Sequence, residues 1–298
     1  MPAMVVAVDR GRWTCAPDGD PELRVTAMRA RELGRTPVVV GDRVGLVGEV
    51  SGAPDQLARI VRVEQRSSVL RRTADDTDPY ERLVVANAEQ LFIVAALADP
   101  PPRTGLIDRC LVAGYAGGLE PVLCLTKRDL AGPEAVLERY AALDLPVLVT
   151  APGTGVDEVR ERLAGRISVL VGHSGVGKST LVNRLVPDAE RVTAAVSGVG
   201  KGRHTSSSAV ALPLPPFDGA GGGWVVDTPG IRSFGLAHVT PDDVVRAFGD
   251  LANTITDCPR GCTHLGPPAD PECALDELTG AARRRAMSVR RLLTALAE

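Results

Sequence analysis

Lysine is almost missing from this chain. Of 34 basic residues only Lys127, Lys178 and Lys201 are lysines, so arginine carries nearly all the positive charge. A compact ammonium and a planar guanidinium are not interchangeable where a cation must sit among phosphates. The three positions that keep lysine are therefore where phosphate chemistry is sought. Aromatic residues are also scarce, at 3%, which leaves little for stacking on unpaired nucleic-acid bases. No apolar run approaches the roughly 18–20 residues that a membrane-spanning helix needs. Met1–Val8 is followed at once by Asp9, too early for the core of a secretory signal. A net charge of -3 gives no global argument for a polyanionic partner, so any RNA surface must be local. These absences point to a soluble cytoplasmic protein, expected as a monomer. A length of 298 residues with 44% hydrophobic content suffices for two or three packed domains.

Three parts are expected. Residues 1–87 read as β-rich, with β-branched runs at Leu23–Met28, Pro37–Val40, Val44–Val50 and Ala58–Val63 broken by Gly, Pro and Asp. A small barrel such as the OB-fold fits this pattern. Thr73–Tyr80, with three Asp and a Pro, reads as a flexible connector. Residues 88–239 alternate strand and helix. Strands are expected at Leu91–Ala96, Val122–Leu125, Leu145–Val149, Ile167–Val171 and Trp224–Val226, and helices near Leu106–Gly114, Glu134–Ala142, Val156–Leu163 and Lys178–Leu185. That alternation predicts a mostly parallel sheet covered on both faces, with ligands at the carboxyl ends of its strands. Residues 240–298 hold a helix at Asp242–Phe248, a Cys/His cluster and a basic helix at Ala282–Ala297.

The second part carries the nucleotide motifs. Gly172-His173-Ser174-Gly175-Val176-Gly177-Lys178-Ser179, followed by Thr180, is a G-x-x-x-x-G-K-S loop between an apolar strand and a helix, the context that such a loop requires. Its glycines let backbone N–H groups converge on phosphate oxygens at a helix N-terminus. Lys178 would bridge the β- and γ-phosphates and Ser179 would ligate Mg²⁺. His173 occupies a free position of the loop. Downstream, Asp227-Thr228-Pro229-Gly230 ends a buried strand, with Asp227 placed to hold Mg²⁺ through water and Gly230 to offer its N–H to the γ-phosphate.

Thr126-Lys127-Arg128-Asp129 ends another apolar run. A carboxylate can accept from both N1–H and the 2-amino group of guanine, a donor pair that adenine lacks, so Asp129 decides base identity. Lys127 would lay its stem along the base. Thr126 stands where such motifs usually have Asn, and should lose one amide contact. Thr150-Ala151 suits the short loop whose backbone meets the guanine carbonyl. The base-reading motif precedes the phosphate loop here, the reverse of an ordinary GTPase, so the domain reads as circularly permuted.

Between the two phosphate motifs lies Gly198–Ser206, with Lys201 and three glycines, read as a mobile loop. Thr205 is the candidate second Mg²⁺ hydroxyl. Ile231 stands where a water-positioning Gln is usual, so His204 is the candidate for orienting the attacking water, against the plainer reading that it packs within the loop.

Cys258, Cys262, His264 and Cys273 supply four soft or borderline ligands, enough for a closed, structural tetrahedral Zn²⁺ site. Cys15, Cys110 and Cys124 read as small core residues. Arg283, Arg284, Arg285, Arg290 and Arg291 give the last helix a basic surface that could meet RNA phosphate. Arg59, Arg62, Arg66, Arg71 and Arg72 could do the same near the barrel.

As a set, these motifs resemble the RsgA/YjeQ family of ribosome small-subunit-dependent GTPases over nearly the whole chain. The carrying residues include Gly41-Asp42-x-Val44, Val85-Ala86-Asn87-x-x-Gln90-Leu91, Gly202-Arg203-His204-Thr205 and the motifs above. The resemblance implies an N-terminal OB-fold, a central permuted α/β P-loop GTPase and a C-terminal α-helical zinc-binding domain. It also implies GTP hydrolysis stimulated by the small ribosomal subunit and its rRNA during late assembly. The spacing from Cys258 to Cys262 is one residue shorter than the family's common pattern, and that from His264 to Cys273 is longer. Two other readings stay open: a non-hydrolysing guanine-nucleotide-dependent scaffold on rRNA, and an ATPase or small-molecule kinase, which Asp129 disfavours.

Overall fold

The computed structural model describes residues 1–73, 78, 80–186, 189, 209–219, 221–228 and 235–297. Its first strand belongs to two cores at once. In β1 (Pro2–Asp9), Ala3 and Val5 point into one hydrophobic cluster while Met4, Val6 and Ala7 pack into another. A strand exposes alternate residues on opposite faces, so two apolar faces demand two apolar neighbours.

One neighbour is a closed barrel. β1, β2 (Arg12–Pro17) and β3 (Val25–Arg29) form an antiparallel meander. β3 pairs parallel with β5 (Ala58–Val63), β5 antiparallel with β4 (Arg43–Gly48), and β4 antiparallel with β1, which closes the ring. Five strands closed this way are the OB-type barrel expected. Cys15, Ala27, Ala58 and Ile60 fill its interior with no exposure, and burial pushes the Cys15 thiol up to about 12, as suits an inert core residue.

Pro37–Val40 is not a strand; only Val40 pairs, in a single bridge to Val85. Its backbone is committed to a turn instead. The Val39 N–H donates to Asp42 Oδ2 at 2.8 Å, and Gly41 has φ 88° with its would-be Cβ only 1.9 Å from the Ala86 carbonyl oxygen. Asp42 is fully buried and is held at 2.7 and 2.9 Å by Arg66, which also donates to the Pro37 carbonyl. Arg66, expected as a basic surface residue, is thus a structural clamp.

A two-stranded hairpin follows, β6 (Val69–Arg72) and β7 (Arg82–Ala86). It packs Leu70 and Val85 into the larger core, not into the barrel. Thr73, expected in a flexible connector, is buried and donates its N–H to Gly235.

The α/β domain adds β8 (Gln90–Ala96), β9 (Glu120–Thr126), β10 (Val147–Val149), β11 (Ile167–Gly172), β12 (Val210–Pro213) and β13 (Trp224–Asp227). Their order is β10-β9-β8-β11-β13-β12, parallel except for β12, and β12 bridges to β1 at Ala7↔Val210. Helices α1 (Thr104–Ala116), α2 (Glu134–Tyr140), α3 (Val156–Leu163) and α4 (Lys178–Leu185) alternate with the strands. Cys110 and Cys124 lie inside this core, their thiols pushed up to about 12 by burial.

The C-terminal part comprises α5 (Pro241–Val245), α6 (Gly249–Ala252) and α7 (Gly280–Ala297). Thr240 caps α5 in a reciprocal box with Asp243. Ala286, Val289, Leu292 and Leu293 make the buried side of α7.

Replacing Arg66 by Met leaves the buried Asp42 carboxylate without its cation. Breaking such a pair costs about 3 kcal/mol or more, so Arg66→Met should lower barrel stability by that amount in chemical denaturation. A change within experimental error would mean that Arg66 is not the clamp described.

A candidate nucleotide site and a metal cluster

The phosphate loop is built where β11 hands over to α4. Gly175 and Gly177 have φ values of 85° and 91°, conformations that cost glycine little. At Gly172 a Cβ would lie 2.6 Å from the Val94 carbonyl oxygen, so the strand end tolerates no side chain there. Within the loop, His173 Nδ1 faces the Ser174 carbonyl at 2.7 Å. Lys178 opens α4 with its side chain buried. Its ammonium donates to the Thr228 carbonyl at 2.6 Å and pairs with Asp227. Ser179 and Thr180 are exposed on the first turn of α4. Asp227 arrives from the neighbouring strand, in register with Leu170, and the Thr228 hydroxyl fixes that junction by donating to the Leu170 carbonyl at 2.7 Å. A helix N-terminus flanked by one ammonium and one carboxylate has the groups that bind a phosphate and its divalent cation.

The base-reading motif reaches the same edge from the other side. Thr126 ends β9, and its hydroxyl donates to the Val176 carbonyl of the phosphate loop at 2.6 Å. Thr126 therefore does more than omit an amide: its hydroxyl ties two motifs that stand 50 residues apart. Thr150 donates its N–H to the Leu125 carbonyl at 2.7 Å and accepts from the Arg128 N–H at 3.1 Å. A cleft of about 470 Å³ opens between these elements, lined by Thr126, Lys127, Thr150, Ala151, Gly177 and Thr180, with Arg184 at its side. Lys127 has φ 60° and donates to the Asp99 carbonyl. Arg128 and Asp129 are exposed, Arg128 lying 3.9 Å from Glu134; Asp129 is not among the lining residues. His204, Thr205 and Gly230, with Lys201 and Ile231, lie outside the described residues.

The ligand atoms of Cys258, Cys262, His264 and Cys273 all fall within 4.8 Å of one another. Tetrahedral thiolate ligands at about 2.3 Å from a metal stand about 3.8 Å apart, so modest contraction closes this set on an ion. The altered spacing of the cysteines is absorbed by turns, with Gly261, His264 and Gly266 all at positive φ. Burial raises the Cys262 thiol to about 12. Three sulfurs and an imidazole nitrogen converging on one point are the ligand set of a metal site.

The basic face expected on α7 is largely spent on internal contacts. Arg285 pairs with Asp144 and Asp250, and Arg290 with Asp276. Arg291 lies 3.8 Å from Asp108 and stacks over Tyr140 at 5.2 Å. Asp108 is buried and also accepts from Arg139 and the Tyr140 hydroxyl, each at 2.8 Å, which explains why cations gather there. Arg283 and Arg284 are exposed. Near the barrel, Arg62 pairs with Glu64 and Arg71 with Glu81, while Arg59 is exposed.

The sheet order, with the base-reading strand β9 ahead of the phosphate-loop strand β11 in the chain and separated from it in the sheet only by β8, defines a circularly permuted P-loop GTPase. It carries a closed barrel before it and a Cys₃His cluster after it. The family model for the RsgA GTPase matches residues 63–237. The small ribosomal subunit biogenesis GTPase RsgA of Chlorobaculum tepidum is 38% identical over 276 residues, covering 89% of this chain and 87% of that one. Its namesake in Paraburkholderia xenovorans is 36% identical over 293 residues, covering 95% and 88%. Among solved structures, YjeQ of Thermotoga maritima superimposes with a TM-score of 0.69 at 25% identity, covering 99% of this chain and 98% of that one. YloQ, described as a circularly permuted GTPase, shares the fold with a TM-score of 0.64 at 20% identity, covering 98% and 94%. The chain belongs to the RsgA GTPase family.

Thr126→Val removes the hydroxyl while keeping the shape, leaving the Val176 carbonyl without its partner. A lost buried hydrogen bond costs about 1–2 kcal/mol. GDP affinity measured by calorimetry should fall by roughly tenfold, with the preference for GDP over ADP unchanged. Unaltered affinity would show that the tie does not shape the pocket.

Proposed function

We propose that this protein hydrolyses GTP to GDP and phosphate while bound to the small ribosomal subunit, assisting late maturation of that subunit. The hydrogen bond from Thr126 to Val176 carries this reading, because it draws the base-reading and phosphate-binding motifs onto one cleft. Family membership and the names of the relatives supply the ribosomal context.

In this reading Gly172, His173, Ser174, Gly175, Val176 and Gly177 cradle the phosphates by their backbone. Lys178 would exchange Asp227 for the β- and γ-phosphates, and Asp227, Ser179 and Thr205 would be the residues that hold Mg²⁺. The Gly230 N–H meets the γ-phosphate and Thr180 flanks the α-phosphate. Asp129 reads guanine, Lys127 covers the base, and Thr126, Arg128, Thr150 and Ala151 frame it. Magnesium, when bound, offsets charge on the transferred phosphoryl group. His204 orients the attacking water in place of the glutamine that Ile231 cannot replace.

Zinc is the metal that best suits three thiols and an imidazole, in a structural role because all four positions come from protein. The division into 1–87, 88–239 and 240–298, a monomeric state and a cytoplasmic location complete the proposal. Recognition of rRNA would rest on exposed arginines such as Arg59, Arg283 and Arg284 and on shape, since aromatic side chains are few.

Phosphate release should rise by at least roughly tenfold when purified small subunits are added, and His204→Ala should lose roughly 10- to 100-fold of that stimulated rate at unchanged GTP affinity. Wild-type protein indifferent to subunits would favour the scaffold reading. Tighter binding of ATP than GTP would remove the guanine assignment.

A further inference from the structure

We propose that Asp242 and Arg290 form the outer shell of the Cys₃His cluster, Asp242 orienting His264 and Arg290 offsetting the negative charge of the thiolates. This rests on the metal reading of the cluster and assigns roles to two residues outside the ligand set.

His264 is buried, at 2% exposure. Its Nδ1 faces the Cys258 sulfur at 3.6 Å, while its Nε2 lies 2.9 Å from Asp242 Oδ1. A carboxylate on one ring nitrogen holds the proton there and leaves the other nitrogen's lone pair for a metal. Asp242 sits in the first turn of α5, a helix whose start is fixed by the Thr240–Asp243 capping box, so its position is not left to chance.

Arg290 comes from a different element, α7. Its Nε donates to the His264 carbonyl at 3.0 Å and its Nη1 to Asp276 Oδ1 at 2.7 Å. Its Nη2 is buried with no acceptor, and the guanidinium interacts electrostatically with Cys273. Gly266, at φ 77°, makes room for it: a Cβ there would lie 2.7 Å from the Arg290 Cζ. A divalent cation with three thiolates and a neutral imidazole carries a net charge of minus one. A buried guanidinium with one N–H to spare supplies both the balancing charge and a donor to a thiolate sulfur. With a metal bound, that N–H would be available to a thiolate sulfur of the cluster.

The test uses the full-length, zinc-loaded protein in competition with a chromogenic chelator. Asp242→Ala and Arg290→Met should each bind zinc roughly 10- to 100-fold more weakly than wild type. Asp242→Asn, which keeps an acceptor oxygen, should recover most of the loss. Arg246→Ala, which removes only the other partner of Asp242, should match wild type. In cobalt-substituted protein the thiolate-to-metal charge-transfer band should move to lower energy in Arg290→Met, a change that loss of packing alone does not cause. If Arg290→Met does not fold, Arg290→Lys, which keeps the charge but cannot span His264, Asp276 and the cluster from separate nitrogens, should show a smaller band shift in the same direction. Wild-type zinc affinity in Asp242→Ala and Arg290→Met together with unmoved bands overturns the proposal while leaving the metal site standing. Failure of the wild-type protein to hold zinc at all overturns the metal reading and this proposal together.

Discussion

The parallel pairing of β8 with β11 is the constraint on which the nucleotide site depends. Residues 90–94 align with 168–172, and the side chains of Gln90 and Ser168 hydrogen-bond at 3.0 Å across the pair, both fully buried. Because the strands run parallel, the carboxyl ends of β9, β10, β11 and β13 all emerge on one edge. Four segments that are distant and inverted in the chain thereby present Thr126, Thr150, Gly172 and Asp227 to one region. The order of motifs along a polypeptide does not matter to a ligand; the order of strands in the sheet does.

The same sheet extends into the barrel. β12 bridges to β1, and β1 divides its side chains between the two cores. The barrel is therefore fastened to the α/β domain by a shared strand rather than by a tether. On the other flank, the chain passes from Asp227 to Asp242 within a short span, and Asp242 meets His264 of the metal cluster. Gly235 on that span pairs with Thr73, beside the hairpin, so nucleotide site, hairpin and metal cluster share one segment.

Much of this was legible from residue types. The helices at Val156–Leu163 and Lys178–Leu185 have the expected bounds because glycine and the apolar period mark them. The clustering of Cys258, Cys262, His264 and Cys273 was legible because cysteine and histidine at close spacing have few other uses. Three features were not. β1 has no polar alternation, since both its faces are buried, and so gave no period-two signal. The arginines of α7 look like a solvated basic face, yet Arg285, Arg290 and Arg291 answer to carboxylates that long-range packing delivers, among them the buried Asp108. Thr126 looks like a weakened asparagine until the Val176 carbonyl is seen within reach of its hydroxyl. In each case the missing information was the identity of a partner distant in sequence.

The most direct test is a crystal structure of the protein with Mg²⁺ and a non-hydrolysable GTP analogue. The account places the base in the cleft between Thr126, Lys127, Thr150 and Ala151, the Asp129 carboxylate on the guanine N1–H and 2-amino group, and the Lys178 ammonium on the phosphates of that same molecule. A nucleotide held by Lys178 with its base elsewhere, or Asp129 left facing solvent in the complex, would contradict it.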